Sequence, residues 1–225
     1  MKQIDISHHI QRRIFNRLVG AESMRYSELK PKELEANAFM YHLNELIKAG
    51  LVEKQDKQYQ LTETGKALAT RFSIRESGIR LMPTTLSVIY LHSQDEQTLL
   101  YRRKRQPYID ALGFPSGKIH LGETLEEAAY RELEEKCGYQ PKEVKLTLKG
   151  EFSLVSRRDK FIENHVIGHL WEGMVIDKKT HTNHAGETYW ADWQAEDYSQ
   201  FIPGFKELIE ASKQSNQFVL DLKFD

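Results

Sequence analysis

The stretch from Gly117 to Tyr139 constrains this chain more than any other, because it sets a loop, a helix start, an acidic helix face and a helix stop in one short run. Thr124 followed three places later by Glu127 has the spacing of a capping box, in which hydroxyl and carboxylate each satisfy a free backbone N–H. A helix therefore starts just after Gly122-Glu123 and runs from Thr124 to Cys137, where Gly138 accepts the left-handed turn that ends helices. On it Glu132 and Glu135 stand three apart and share a face. Arg131 adjoins them, and Glu123 lies at the mouth of the preceding loop. Clustered carboxylates repel one another unless a cation intervenes, and oxygen-rich clusters suit Mg²⁺, which bridges carboxylates and substrate phosphates. Taken alone, such a face also reads as solvated surface.

The rest of the chain supplies two contexts for this motif. At 225 residues it is long enough for one large domain or two modest ones. Its 40% hydrophobic and 29% charged residues are those of a globular protein. No apolar run approaches the roughly 18 residues of a membrane span, and Met1 to Asp5 hold no apolar signal core. Cys137 is the only cysteine, which excludes an internal disulfide and suits a cytoplasmic protein; beside Gly138 at a helix end it reads as packing. Charge is uneven: 14 Lys/Arg face 10 Asp/Glu up to Pro83, against 18 and 23 beyond it. A basic front and an acidic back permit one nucleic-acid-facing part and one metal-binding part.

Up to Phe72 the pattern is mainly helical. Ile10, Ile14, Phe15 and Leu18 recur at helical spacing between Ser7 and Gly20. A short helix over Tyr26–Lys30 stops at Pro31, and a third over Glu35–Ala49 carries Phe39, Leu43, Leu46 and Ile47 in one stripe. Leu51–Lys54 and Gln58–Thr62 read as a hairpin, and a closing helix near Thr62 carries Ala67, Leu68 and Phe72. This order resembles the winged-helix DNA-binding domains of transcriptional regulators, above all in Phe39-Met40-Tyr41-His42-Leu43-Asn44-Glu45-Leu46, Gly50-Leu51-Val52-Glu53 and Tyr59-Gln60-Leu61-Thr62-Glu63-Thr64-Gly65. The resemblance implies that Asn37, Tyr41, Asn44 and Lys48 face the major groove, with Lys54 and Lys57 at the phosphate backbone of double-stranded DNA.

Residues 73–83 have little periodicity and read as a linker between a domain over 1–72 and one over 84–225. Beyond them, Leu86–Leu91, Thr98–Tyr101, Val144–Leu148, Glu151–Val155 and Val166–Ile176 look like strands, and Ile202–Lys213 like a last helix. The fold class is thus α+β, with two domains.

Gly117, Glu123, Arg131-Glu132-Leu133, Glu135 and Gly138-Tyr139 match the signature of the Nudix family nearly position for position, and Gly113-Phe114-Pro115-Ser116-Gly117-Lys118 resembles the approach to it. The resemblance covers about Thr84 to Phe205. It implies an α/β/α sandwich around a mixed sheet and a ligand with a nucleoside diphosphate joined to another group. In active relatives Mg²⁺ or Mn²⁺ activates water for attack on the diphosphate. Carried over by position, Glu132 and Glu135 are metal ligands with the Ser116 carbonyl, Glu132 is also a candidate base, and Arg131 orients the carboxylates by pairing with Glu123. Gly117, one of the basic residues Arg102 to Arg105 (Arg103 above all) and Glu187 are candidate ligand contacts.

The chain departs from the family at Lys136, where active members have a second glutamate that is a principal metal ligand. An ammonium cannot ligate Mg²⁺ and adds positive charge to a site for cations. Known regulators join Nudix and winged-helix domains, several with a degraded signature. The reading is therefore a ligand-responsive, homodimeric regulator with impaired hydrolysis; the alternative is an active Mg²⁺-dependent hydrolase with an accessory front domain.

Overall fold

A computed structural model describes residues 6–73 and 78–224. The chain divides into two compact units, Met1–Met82 and Pro83–Asp225.

The first unit comprises α1 (His9–Val19), β1 (Met24–Arg25), α2 (Tyr26–Leu29), α3 (Ala36–Lys48), β2 (Val52–Gln55), β3 (Gln58–Leu61), α4 (Glu63–Ala69), β4 (Phe72–Ser73) and β5 (Gly78–Ile79). Helical spacing puts Ile14, Phe15 and Leu18 of α1 against Phe39, Leu43 and Leu46 of α3, all buried with Leu29, Leu51, Tyr59 and Phe72. β2 and β3 form a hairpin whose turn residues Asp56 and Lys57 both have positive φ, the backbone that matches the twist of paired strands. Thr62 caps α4 by accepting the Gly65 N–H at 3.0 Å. Two points differ from the periodicity. Phe72 leaves the closing helix and pairs with Ile79 across β4 and β5, because its ring fills the core beside Phe15. The span 73–83 is therefore not uniformly irregular, although residues 74–77 lie outside the described residues. β1, too short to show a pattern, pairs with β3.

The second unit comprises β6 (Thr84–Ser93), β7 (Thr98–Arg103), β8 (Leu112–Gly113), β9 (Ser116–Lys118), α5 (Leu125–Glu132), β10 (Thr147–Arg158), β11 (Phe161–Val175), β12 (Thr182–Asn183), β13 (Gly186–Ala191), α6 (Phe205–Gln214) and β14 (Phe218–Phe224). The sheet runs β12-β13-β7-β6-β11-β10-β14, with β8 on β7 and β9 on β6. It is mixed: β6 lies parallel to β11 and β14 parallel to β10, while the other pairs are antiparallel. Alternation along β6 explains the layers. Val88 and Tyr90 pack with Phe205, Leu208 and Ile209 of α6, whereas Ile89 and Leu91 pack with Ala129 of α5 and with Leu133 and Tyr139 beyond it. A helix thus covers each face, and each such buried side chain contributes about 1.5–3 kcal/mol.

The strand expected over Val144–Leu148 starts only at Thr147 and continues unbroken to Arg158; Val144 and Leu146 are buried without joining the sheet. The last helix starts at Phe205, after Pro203 and a left-handed Gly204. Among the described residues no helix is long and apolar enough to cross a membrane.

Candidate functional site

The site is built where β9 meets α5. The capping box is present: Thr124 Oγ1 accepts the Glu127 N–H at 3.2 Å, and Glu127 Oε2 accepts the Thr124 N–H at 2.8 Å. Two turns later the chain leaves α-helical geometry, and Leu133–Cys137 forms a π-helical turn, a widening found frequently at functional sites. Asn183 Nδ2 donates to the Glu135 carbonyl at 2.8 Å and holds this turn from the side.

Arg131 organises the carboxylates. Its Nε and Nη2 donate to the two oxygens of Glu123 at 2.6 and 2.9 Å, its Nη1 to Glu132 Oε1 at 2.5 Å and its Nη2 to the Lys118 carbonyl at 2.9 Å. Glu135 Oε2 stands 3.7 Å from Nη1. The guanidinium, helped by the His120 N–H, holds the Glu123 carboxyl down at about 2. Glu132 is buried, and burial pushes its carboxyl up against the opposing pull of Arg131. Its Oε2 has no hydrogen-bond partner, a costly state for a buried carboxylate oxygen. Gly117 makes this placement possible, since a Cβ there would lie 1.9 Å from Glu132 Oε1.

These groups line a cavity of about 770 Å³ within the second unit, with Ser116, Gly117, Arg131, Glu132, Glu135 and Lys136 at one part of its wall. Arg103 at the end of β7 and Arg105 and Tyr108 in the loop after it line the cavity, and Phe205 and Leu208 supply an apolar side. Arg103 Nε donates to the Pro107 carbonyl at 3.1 Å, and burial lowers its pKa. Phe114 stacks on Phe205 with centroids 4.4 Å apart, which commits it to packing. The Lys136 Nζ lies 5.9 Å from the centre of the Tyr101 ring.

Not every expected residue joins this group. Glu187 sits on β13, off the cavity wall, with its carboxylate on Lys104 Nζ at 2.6 Å. Glu134 is exposed and accepts from Gln140. Cys137 is fully buried, and burial pushes its thiol pKa up, as packing requires. Tyr101, Glu163, Asn164 and His184 line the cavity from distant strands and loops that carry no local motif. In the first unit Asn37, Tyr41, Asn44 and Lys48 are exposed on α3, opposite its buried stripe. Lys48 pairs with Glu45 at 2.9 Å. Lys54 lies over the Tyr59 ring, and Lys57 stands at the hairpin turn.

A family model of the NUDIX domain matches residues 82–212. The chain belongs to the Nudix family. It is 33% identical to an ADP-ribose pyrophosphatase of Methanocaldococcus jannaschii over 35% of its length and 49% of that protein's, so it spans about half of that relative. It is 30% identical to an 8-oxo-dGTP diphosphatase of Haemophilus influenzae over 49% of its length and 76% of that protein's. Among solved structures, a Nudix hydrolase from Nitrosomonas europaea superposes with a TM-score of 0.52 at 17% identity, covering 64% of this chain and 82% of that one. The Nudix domain of Shewanella oneidensis NrtR, complexed with ADP ribose, gives 0.50 at 16% identity, covering 68% and 98%. These likenesses are of fold alone. Although the Nudix signature of this chain is rich in glutamate, among the described residues no set of three or more His, Cys, Asp or Glu side chains is placed to hold a metal ion.

Proposed function

We propose that this chain is a ligand-responsive transcription regulator whose Nudix domain binds a nucleoside-diphosphate-linked metabolite of the ADP-ribose kind and hydrolyses it slowly. The observation that carries this reading is Lys136, an ammonium on the cavity wall beside Glu132 and Glu135. NrtR, whose Nudix domain was crystallised with ADP ribose, is similar in fold. The first unit, with four helices, a three-stranded sheet that includes the β2–β3 hairpin and a two-stranded pair, is read as a winged helix. In that reading the exposed Asn37, Tyr41, Asn44 and Lys48 meet base edges and phosphates while Lys54 and Lys57 meet the backbone. A homodimer reading a two-fold operator is the expected assembly. The ligand regulates by favouring one of two conformations.

A second reading, an active hydrolase, is favoured by the partnerless Glu132 Oε2 and by the pyrophosphatase relative. One divalent ion would fit Glu132, Glu135 and the Ser116 carbonyl, weakened by Lys136. Bound Mg²⁺ or Mn²⁺ would supply activation of water and neutralise charge on the phosphate oxygens. Arg131 then holds both carboxylates in place, and Glu132 takes the proton of the attacking water. Turnover of ADP-ribose with Mg²⁺ separates the two. A regulator turns over well below 1 per second, and Lys136→Glu raises the rate at least about tenfold. A wild-type rate of about 10 per second, ordinary for an enzyme, contradicts the regulator reading.

A further inference from the structure

Five lysine and arginine side chains line the cavity; Lys118 is exposed, and the other four differ in how far they are already committed. Arg131 spends its guanidinium on Glu123, Glu132 and the Lys118 carbonyl. Arg103 donates to the Pro107 carbonyl, and Arg105 lies on the exposed loop after β7. Lys136 is partly buried beside Glu132, as Arg131 is, but uncommitted: among the described residues its ammonium has no hydrogen-bond or ion-pair partner, only the Tyr101 ring.

The backbone explains why this ammonium faces inward. Four residues of helix bring a side chain back to nearly the same face, so Lys136 follows Glu132, while Glu135, about 60° off to the other side, lines the same cavity from a more exposed position. The π-turn exaggerates this difference, since each of its residues advances less than the 100° of an α-helix. Glu135 is accordingly 53% exposed while the Glu132 side chain is 3% exposed. The cation that the fold carries to the buried carboxylate is thus its own. An ammonium on the cavity wall with no protein acceptor of its own is open to an anion, and lysine serves phosphates well as a point charge.

We propose that Lys136 binds the diphosphate of the ligand directly, so that the cavity captures a nucleoside diphosphate without a divalent cation. This rests on reading the cavity as a nucleotide site, and it adds the manner of binding. Calorimetric titration of the full chain with ADP-ribose, in EDTA and in Mg²⁺, tests it. Wild-type affinity in EDTA should match that in Mg²⁺ within about threefold. Lys136→Met, which keeps the stem against Tyr101, should weaken binding in EDTA by about tenfold to a hundredfold, the worth of one charge-assisted contact. Lys136→Arg, which keeps the charge, should retain most of it and guards against a folding artefact, as does an unchanged melting curve. Binding that appears only with Mg²⁺, or equal binding by wild type and Lys136→Met in EDTA, overturns the inference and leaves the nucleotide site standing. No binding in either buffer overturns both.

Discussion

Replacing Gly117 by alanine should disrupt the carboxylate cluster, and the structure gives the size of the effect. The new methyl would stand 1.9 Å from Glu132 Oε1, 2.1 Å from its Cδ and 2.3 Å from Oε2. Ordinary contact starts at 3.4 Å, so the carboxylate must retreat by about 1.5 Å. Glu132 is 2% exposed, so its retreat is resisted by packed neighbours. Retreat breaks its bond to Arg131 Nη1, costing about 1.5–3 kcal/mol for a charge-assisted hydrogen bond. Overpacking adds about 1–3 kcal/mol. A loss of about 2.5–6 kcal/mol follows, a fall of roughly 5–25 °C in melting temperature for a chain this size. Urea denaturation by linear extrapolation measures it. In a Glu132→Ala background the obstacle is gone, so the same alanine should cost less than about 1 kcal/mol, a coupling expected only of residues in contact. Equal costs in the two backgrounds would refute the steric cradle.

Three further outcomes follow from the same contacts. Arg131→Lys should lose about 2–4 kcal/mol in urea denaturation, because one ammonium cannot span Glu123, Glu132 and the Lys118 carbonyl as a guanidinium does; a wild-type midpoint would contradict this. Glu123, depressed to about 2 from its ordinary 4.5, contributes stability that is present above pH 4.5 and lost as pH falls toward 2. The difference in stability between wild type and Glu123→Gln should shrink across that window, and parallel pH curves would count against the pairing. Trypsin should cut after the exposed Arg80, beside Leu81 at 97% exposure, and leave two folded fragments; a chain that resists cleavage there would contradict two separable domains.

Local features were legible and distant ones were not. The Thr124–Glu127 box and the Arg131–Glu123 pair follow from spacings of three and eight residues on and beside one helix. The buried stripes of α1 and α3 and the alternation along β6 follow from periodicity. The π-turn was invisible, because Leu133–Cys137 has the composition of ordinary helix and only its packing selects the wider turn. β13 and β14 were missed because pairing with strands far along the chain, Thr98–Arg103 and Gly150–Ser156, defines them. The same distance hid Lys104 as the partner of Glu187, 83 residues away. Phe72 reads as helical until the Phe15 ring that it packs against is known.

The most direct test of ligand-controlled DNA binding is a fluorescence-anisotropy titration of the full chain. The duplex is taken from upstream of its own coding sequence, at about 50 mM salt where phosphate contacts are strong. ADP-ribose at saturation should change the dissociation constant for that DNA by about fivefold or more, the usual lower bound of allosteric coupling. Tight ADP-ribose binding with an unchanged DNA constant would remove ADP-ribose as the effector. Failure to bind the duplex at low salt would contradict the regulator and leave the Nudix hydrolase in its place.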